Sequence, residues 1–97
     1  MEVDGQTAVP EQFFLAQNYP NPFNPETTIE FSLPLPSQVE LAVYDITGRK
    51  VALLVDGVRS AGNHAIQFDA ALMPSGLYFY RLTASGESFT RKMVLVK

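Results

Sequence analysis

Six stretches of this chain alternate apolar and polar residues with a period of two, and none repeats with the period of a helix. Residues 27–34, "TTIEFSLP", put Ile29, Phe31 and Leu33 on one face. Residues 39–45 place Val39, Leu41 and Val43 together, and residues 49–55 do the same with Val51, Leu53 and Val55. Ile66 and Phe68 share a face over 64–69. Tyr78, Tyr80 and Leu82 oppose Leu77, Phe79 and Arg81 over 77–84. Phe89, Arg91, Met93 and Leu95 oppose Thr90, Lys92, Val94 and Val96 over 87–96. "FFLAQ" at 13–17 is expected to add a seventh strand at an edge. Such a pattern buries one face of each strand and leaves a core between two sheets.

The punctuation fits that reading. Pro34 and Pro36 end a strand, because proline donates nothing to a ladder. Thr47-Gly48 and Ser85-Gly86 are hairpin turns. Residues 56–63 and 70–76 are expected to be connecting loops, the second with room for a helical turn. Seven short strands with tight turns predict an all-β, immunoglobulin-like antiparallel β-sandwich. In such folds a tyrosine hydroxyl locks a strand corner by bonding backbone, a role expected of Tyr78 or Tyr80. A chain of 97 residues suits one domain, expected over 13–97 behind a linker or leader at 1–12. It can bury roughly 60–65% of its unfolded surface, enough for one core.

The residue inventory excludes much chemistry. There is no cysteine, so no disulfide, thiolate zinc site or cysteine nucleophile exists. His64 is the one imidazole; a triad would need it with Ser60 or Ser75 and Asp56 or Asp69, and nothing resembles a nucleophile elbow. Asn18, Asn21, Asn24 and Glu26 are hard oxygen donors, but no Asp-x-Asp spacing marks a calcium loop. No phosphate loop is present. No enzyme, metal or cofactor is expected. A net charge of -3 argues against nucleic acid, and no apolar run is long enough for a helical membrane span. Residues 1–48 hold seven acids and no Lys or Arg, while 49–97 hold all seven bases and three acids. The simplest expectation is that early and late strands pair, with opposite charges across the ladder. The other is a basic patch at the end of the chain.

"QNYPNPFNPET" at 17–27 can be neither helix nor regular strand. Its prolines keep it extended, and its asparagines can replace the missing ladder bonds. Tyr19 and Phe23 are expected to fold inward as a plug closing one side of the sandwich.

Four stretches in order, "QNYPNPFNPETTIEFSLP", "VELAVYDITGRKVALLVDG", "AGNHAIQFD" and "PSGLYFYRLTASGESFTRKMVLVK", resemble the type A C-terminal sorting domain of the type IX secretion system. The resemblance runs from about Phe14 to Lys97. The immunoglobulin-like domain of flagellar hook-capping proteins is similar in "VYDITGR" and "PSGLYFYRL" and less so in the asparagine–proline segment. The resemblance implies a non-catalytic sorting signal that sends a larger cargo, lying N-terminal to it, through the outer membrane to the cell surface or medium. Its implied partners are the outer-membrane translocon and a sortase that cuts ahead of the fold, near residues 1–13, and anchors the cargo. It implies recognition around Gly48 and Arg49 and along Lys92, Met93, Val94, Leu95, Val96 and Lys97. The last strand, if it lies at a free edge, is suited to β-augmentation. Two other functions suit such a sandwich. A carbohydrate-binding or cell-attachment module would show two rings exposed side by side. A structural immunoglobulin-like spacer is expected to be followed by further sequence.

Overall fold

The computed structural model describes residues 10–97, so most of the linker expected at 1–12 lies outside the described residues. Seven strands follow in order: β1 (Phe14–Leu15), β2 (Glu26–Leu33), β3 (Ser37–Tyr44), β4 (Lys50–Arg59), β5 (Gly62–Asp69), β6 (Gly76–Ala84) and β7 (Glu87–Leu95). They form two antiparallel sheets, β1-β2-β5 and β4-β3-β6-β7, packed as a sandwich. The immunoglobulin constant arrangement differs in one strand: there the fourth joins the fifth, here it joins β3.

The hairpin turns explain that choice. Asp45 N–H donates to Arg49 O (3.0 Å), so three residues, 46–48, turn the chain between β3 and β4. The last of them, Gly48, sits at φ +87°, the left-handed position that closes a three-residue hairpin loop. A tight local turn leaves β4 beside β3. Ser85 and Gly86, both with positive φ, make the two-residue turn between β6 and β7.

The core is the set of inward residues that the alternation names: Ile29, Phe31 and Leu33 of β2, Val39, Leu41 and Val43 of β3, Tyr78, Tyr80 and Leu82 of β6, and Met93 and Leu95 of β7. Leu15, Phe23, Val55, Phe68, Ala70 and Ala84 complete it. Two tyrosines lock corners. Tyr78 Oη donates to Pro74 O (2.6 Å), four residues upstream at the start of β6. The fully buried Tyr80 Oη donates to Ala16 O (2.6 Å) and accepts from Asn18 N–H (2.7 Å). Burial pushes the Tyr80 hydroxyl above the usual phenol range, against the bond from Asn18.

Four expectations need correction. β4 runs on to Arg59 and β5 starts at Gly62, so the expected loop at 56–63 shrinks to a turn at Ser60 and Ala61. Residues 70–75 make a turn, closed by Met73 N–H to Ala70 O (3.0 Å), without a helix. Within β4 the inward face is not Val51, Leu53 and Val55. Leu41 faces Val55 but Ala42 faces Leu53, and Val43 faces Ala52 but Tyr44 faces Lys50. Leu54 and Val51 are therefore extra residues at two bulges, and each bulge inverts the alternation beyond it. Val55 stays in the core while Leu53 turns outward, 50% exposed.

The fourth correction concerns charge. The strands of the three-stranded sheet carry Glu26, Glu30 and Asp69 and no Lys or Arg. Those of the four-stranded sheet carry Lys50, Arg59, Arg81, Arg91 and Lys92 against Glu40, Asp56 and Glu87. The sequence asymmetry thus becomes a difference between sheets rather than pairing within one. One ion pair joins two strands, Lys50 of β4 to Glu40 of β3, and it runs diagonally, since in register Lys50 faces Tyr44 and Glu40 faces Asp56.

Candidate functional site

The asparagine–proline segment is a strap along the outer edge of β7. Gln17 Nε2 donates to Lys92 O (2.6 Å), and Val94 N–H donates to Asn21 Oδ1 (3.0 Å). Phe23 N–H donates to Val94 O (2.9 Å), and Val96 N–H donates to Phe23 O (3.0 Å). Higher on the same edge, Arg91 Nε donates to Leu15 O (2.6 Å). The strap satisfies Lys92 O, both backbone groups of Val94 and the Val96 N–H, which an outermost strand leaves bare, so residues 92–96 are not a free edge for β-augmentation.

The buried Asn18 side chain pins the strap, donating to Pro20 O (3.0 Å) and Thr27 Oγ1 (3.0 Å). Asn18 and Asn21 thus spend their amides on chain folding. Among the described residues no three of His, Asp and Glu gather as metal ligands. Phe23 is 2% exposed and lies against Phe68, ring centroids 6.3 Å apart. Tyr19 does not join it. Thr28 brackets Tyr19 through both backbone bonds (2.9 Å each), and the ring stands outward, 80% exposed. The expected two-ring plug is one ring because Tyr19 pairs opposite Thr28, which lies on the outer face of β2.

The two regions singled out by sequence meet at one end of the four-stranded sheet. The register runs Lys50–Tyr44–Phe79–Lys92 straight across it. Three strand spacings separate Lys50 from Lys92, about 14 Å. The turn carrying Gly48 and Arg49 projects beyond Tyr44. Val96 and Lys97 follow the end of β7 on the same side. Lys97 Nζ donates to Ala71 O (2.6 Å), and its N–H to Ser75 Oγ (3.1 Å), which ties the last residue down. Lys92 and Val94 face outward, whereas Met93 and Leu95 are buried in the core. A partner reading this surface meets the side chains of Arg49, Lys92, Val94, Val96 and Lys97, but not those of Met93 and Leu95.

Alternation also puts Tyr44, Phe79 and Arg81 on this face, although the sequence reading singled out none of them. Arg81 Nη2 donates to Tyr44 Oη (2.9 Å), and its guanidinium lies 4.8 Å from that ring's centroid. Aromatic residues at outward positions of a strand were the available signal. The turn is rigid. Asp45 Oδ1 accepts from Thr47 N–H (2.9 Å), Thr47 Oγ1 (2.6 Å) and Arg49 N–H (3.1 Å). Asp45 Oδ2 lies 3.2 Å from Arg49. The Thr47 hydroxyl, then the backbone donors and Arg49, hold the Asp45 carboxyl below the ordinary aspartate range. Lys50 likewise lowers Glu40 and is itself raised.

His64 stacks on Phe31, centroids 5.1 Å apart, and its Nε2 bonds the Ser60 carbonyl (2.8 Å), not a serine hydroxyl. It builds no triad.

No curated protein and no solved structure significantly matches the chain. The family model described as a secretion system C-terminal sorting domain matches residues 17–97, from the start of the strap to Lys97. With the strap, the hairpin turn and the last strand all inside that match, the chain belongs to the family of secretion system C-terminal sorting domains, a sorting signal of type IX secretion.

Proposed function

We propose that this domain, over residues 13–97, directs a cargo lying N-terminal to it from the periplasm across the outer membrane to the surface or medium. The translocon of the type IX system reads the end of the four-stranded sheet. Arg49, Lys92 and Lys97 supply charge there, and Val94 and Val96 supply apolar contact. Gly48 shapes the turn that presents Arg49. Met93 and Leu95 act from the core by fixing the strand that carries the others. The sortase cuts in the linker ahead of the fold, which leaves the strap intact. The observation that carries this reading is the convergence of the Gly48–Arg49 turn and the last strand at one end of one sheet.

The test is export. The whole chain is fused behind a periplasm-directed fluorescent reporter in a bacterium with a working type IX system. Fluorescence is expected at the surface or in the medium. Removing 92–97 would take out two core side chains, so a cleaner variant combines Arg49→Ser, Lys92→Ser and Lys97→Ser. It should fold and stay in the periplasm. A parent fusion trapped in the periplasm would overturn the sorting role, and an exported triple variant would overturn the assigned surface.

A further inference from the structure

The outer face of the three-stranded sheet carries a trough unrelated to the surface above. One depression, of about 500 Å3, is lined by Phe14, Ala16, Glu30, His64 and Ala65 among others. A second, of about 350 Å3, is lined by Gln17, Tyr19, Thr28 and Glu30. They meet at Glu30. Phe14 lies opposite Ser32 and Tyr19 opposite Thr28, so the two rings stand on one face four residues apart along β2, about 14 Å. Both are exposed, Phe14 by 52%. Between them Glu30 is flanked in register by Ala65, and Ala16 N–H bonds its carbonyl. Small side chains there keep the floor low.

We propose that this trough binds a short neutral oligosaccharide, with Phe14 and Tyr19 stacking on sugar faces and Glu30 accepting hydroxyl hydrogens. Three observations select that occupant. The backbone beneath each ring is fixed before any ligand arrives: Tyr19 exchanges both backbone bonds with Thr28, and Phe14 pairs with Ser32, its ring 6.0 Å from the Arg91 guanidinium. Holding a group in place lowers the ordering cost of binding. The strands of this sheet carry Glu26, Glu30 and Asp69 and no Lys or Arg, and Arg91, beside Phe14 from the other sheet, donates its Nε to Leu15 O, so the balance of charge disfavours acidic polymers. The rings are separated by a carboxylate and form no continuous apolar patch, unlike the core of a protein interface. A two-fold pairing of this face with a second copy would also set its carboxylates against each other.

The inference does not depend on the sorting role, and its readout involves no export. The whole chain, labelled for amide spectra, is titrated with cellohexaose and xylohexaose, with polygalacturonate as the anionic comparison. Shifts are expected at Ala16, Tyr19, Glu30 and Ala65 with at least one neutral sugar and not with polygalacturonate. Tyr19→Ala and Phe14→Ala should each weaken binding about tenfold, the loss of an anchor ring. Both rings are outside the core, so the variants should keep the parent's spectral dispersion, and Val58→Ala on the other sheet should bind like the parent. No shift with either neutral sugar overturns the proposal. So do shifts that survive both ring deletions, or shifts at these amides produced by concentrating the protein alone, which would mark a self-association face.

Discussion

Tyr80 shows how much one buried hydroxyl can organise. Its Oη serves Ala16 O and Asn18 N–H together, and so fixes the point where the strap leaves β1. Tyr80→Phe keeps the ring but leaves those two backbone groups unpaired. The expected cost is about 1–3 kcal/mol, read as a lower urea midpoint with an unchanged slope. Asp45 is the second residue with such reach. Its carboxyl is held below the ordinary aspartate range, so it favours the folded turn at pH values above the unfolded-state pKa. That contribution disappears as pH falls through the lowered folded value. Amide shifts of Thr47 and Arg49 should therefore move together in acid, and in Asp45→Ala they should be flat over the same range. Independent titration of the two amides would mean that Asp45 does not hold the turn.

At the scale of elements, the strap and β7 depend on each other. Phe23 anchors the strap in the core while its backbone bonds close the edge at Val94 and Val96. Phe23→Ala is expected to cost roughly 3–5 kcal/mol, as for other large buried aromatics. The loss should be uneven in space. Hydrogen exchange at the amides of Val94 and Val96 should quicken more than at those of Val39 and Val43 in the middle of the sheet. Equal loss of protection would mean that the strap and β7 do not open as a unit. Among the described residues, β4 at the opposite edge of the sheet pairs with β3 alone. Its two bulges interrupt the regular edge that another strand would need.

For the whole molecule, the sandwich has two unlike faces. One sheet presents carboxylates with two exposed rings, and the other presents a row from Lys50 to Lys92 through Tyr44 and Phe79. The proposed export surface and the proposed sugar trough use different sheets, so substitutions in one should leave the other intact. Residues well separated and without shared partners behave additively. The triple Ser variant of Arg49, Lys92 and Lys97 should therefore bind sugar like the parent, and Tyr19→Ala should be exported like it.

Strand number, the two hairpin turns, the inward faces of β2, β3 and β6, and Met93 and Leu95 of β7 were legible from the residues alone. Alternation and turn chemistry are local properties, set by neighbours within a few positions. The family was legible too, because its motifs are contiguous. Tertiary structure decided the rest. Leu53 faces solvent because a bulge depends on register with β3, which β4 does not encode by itself. Tyr19 is exposed and Phe23 buried because one pairs with Thr28 and the other with Leu95, on different strands. Arg91 donates its Nε to Leu15 O, and Lys97 its ammonium Nζ to Ala71 O, contacts between residues far apart in the chain. The C-terminal part of the β7 edge is closed by a segment some seventy positions earlier. A pattern of period two says which residues share a face; only the packing of two sheets says what that face, or that edge, will meet.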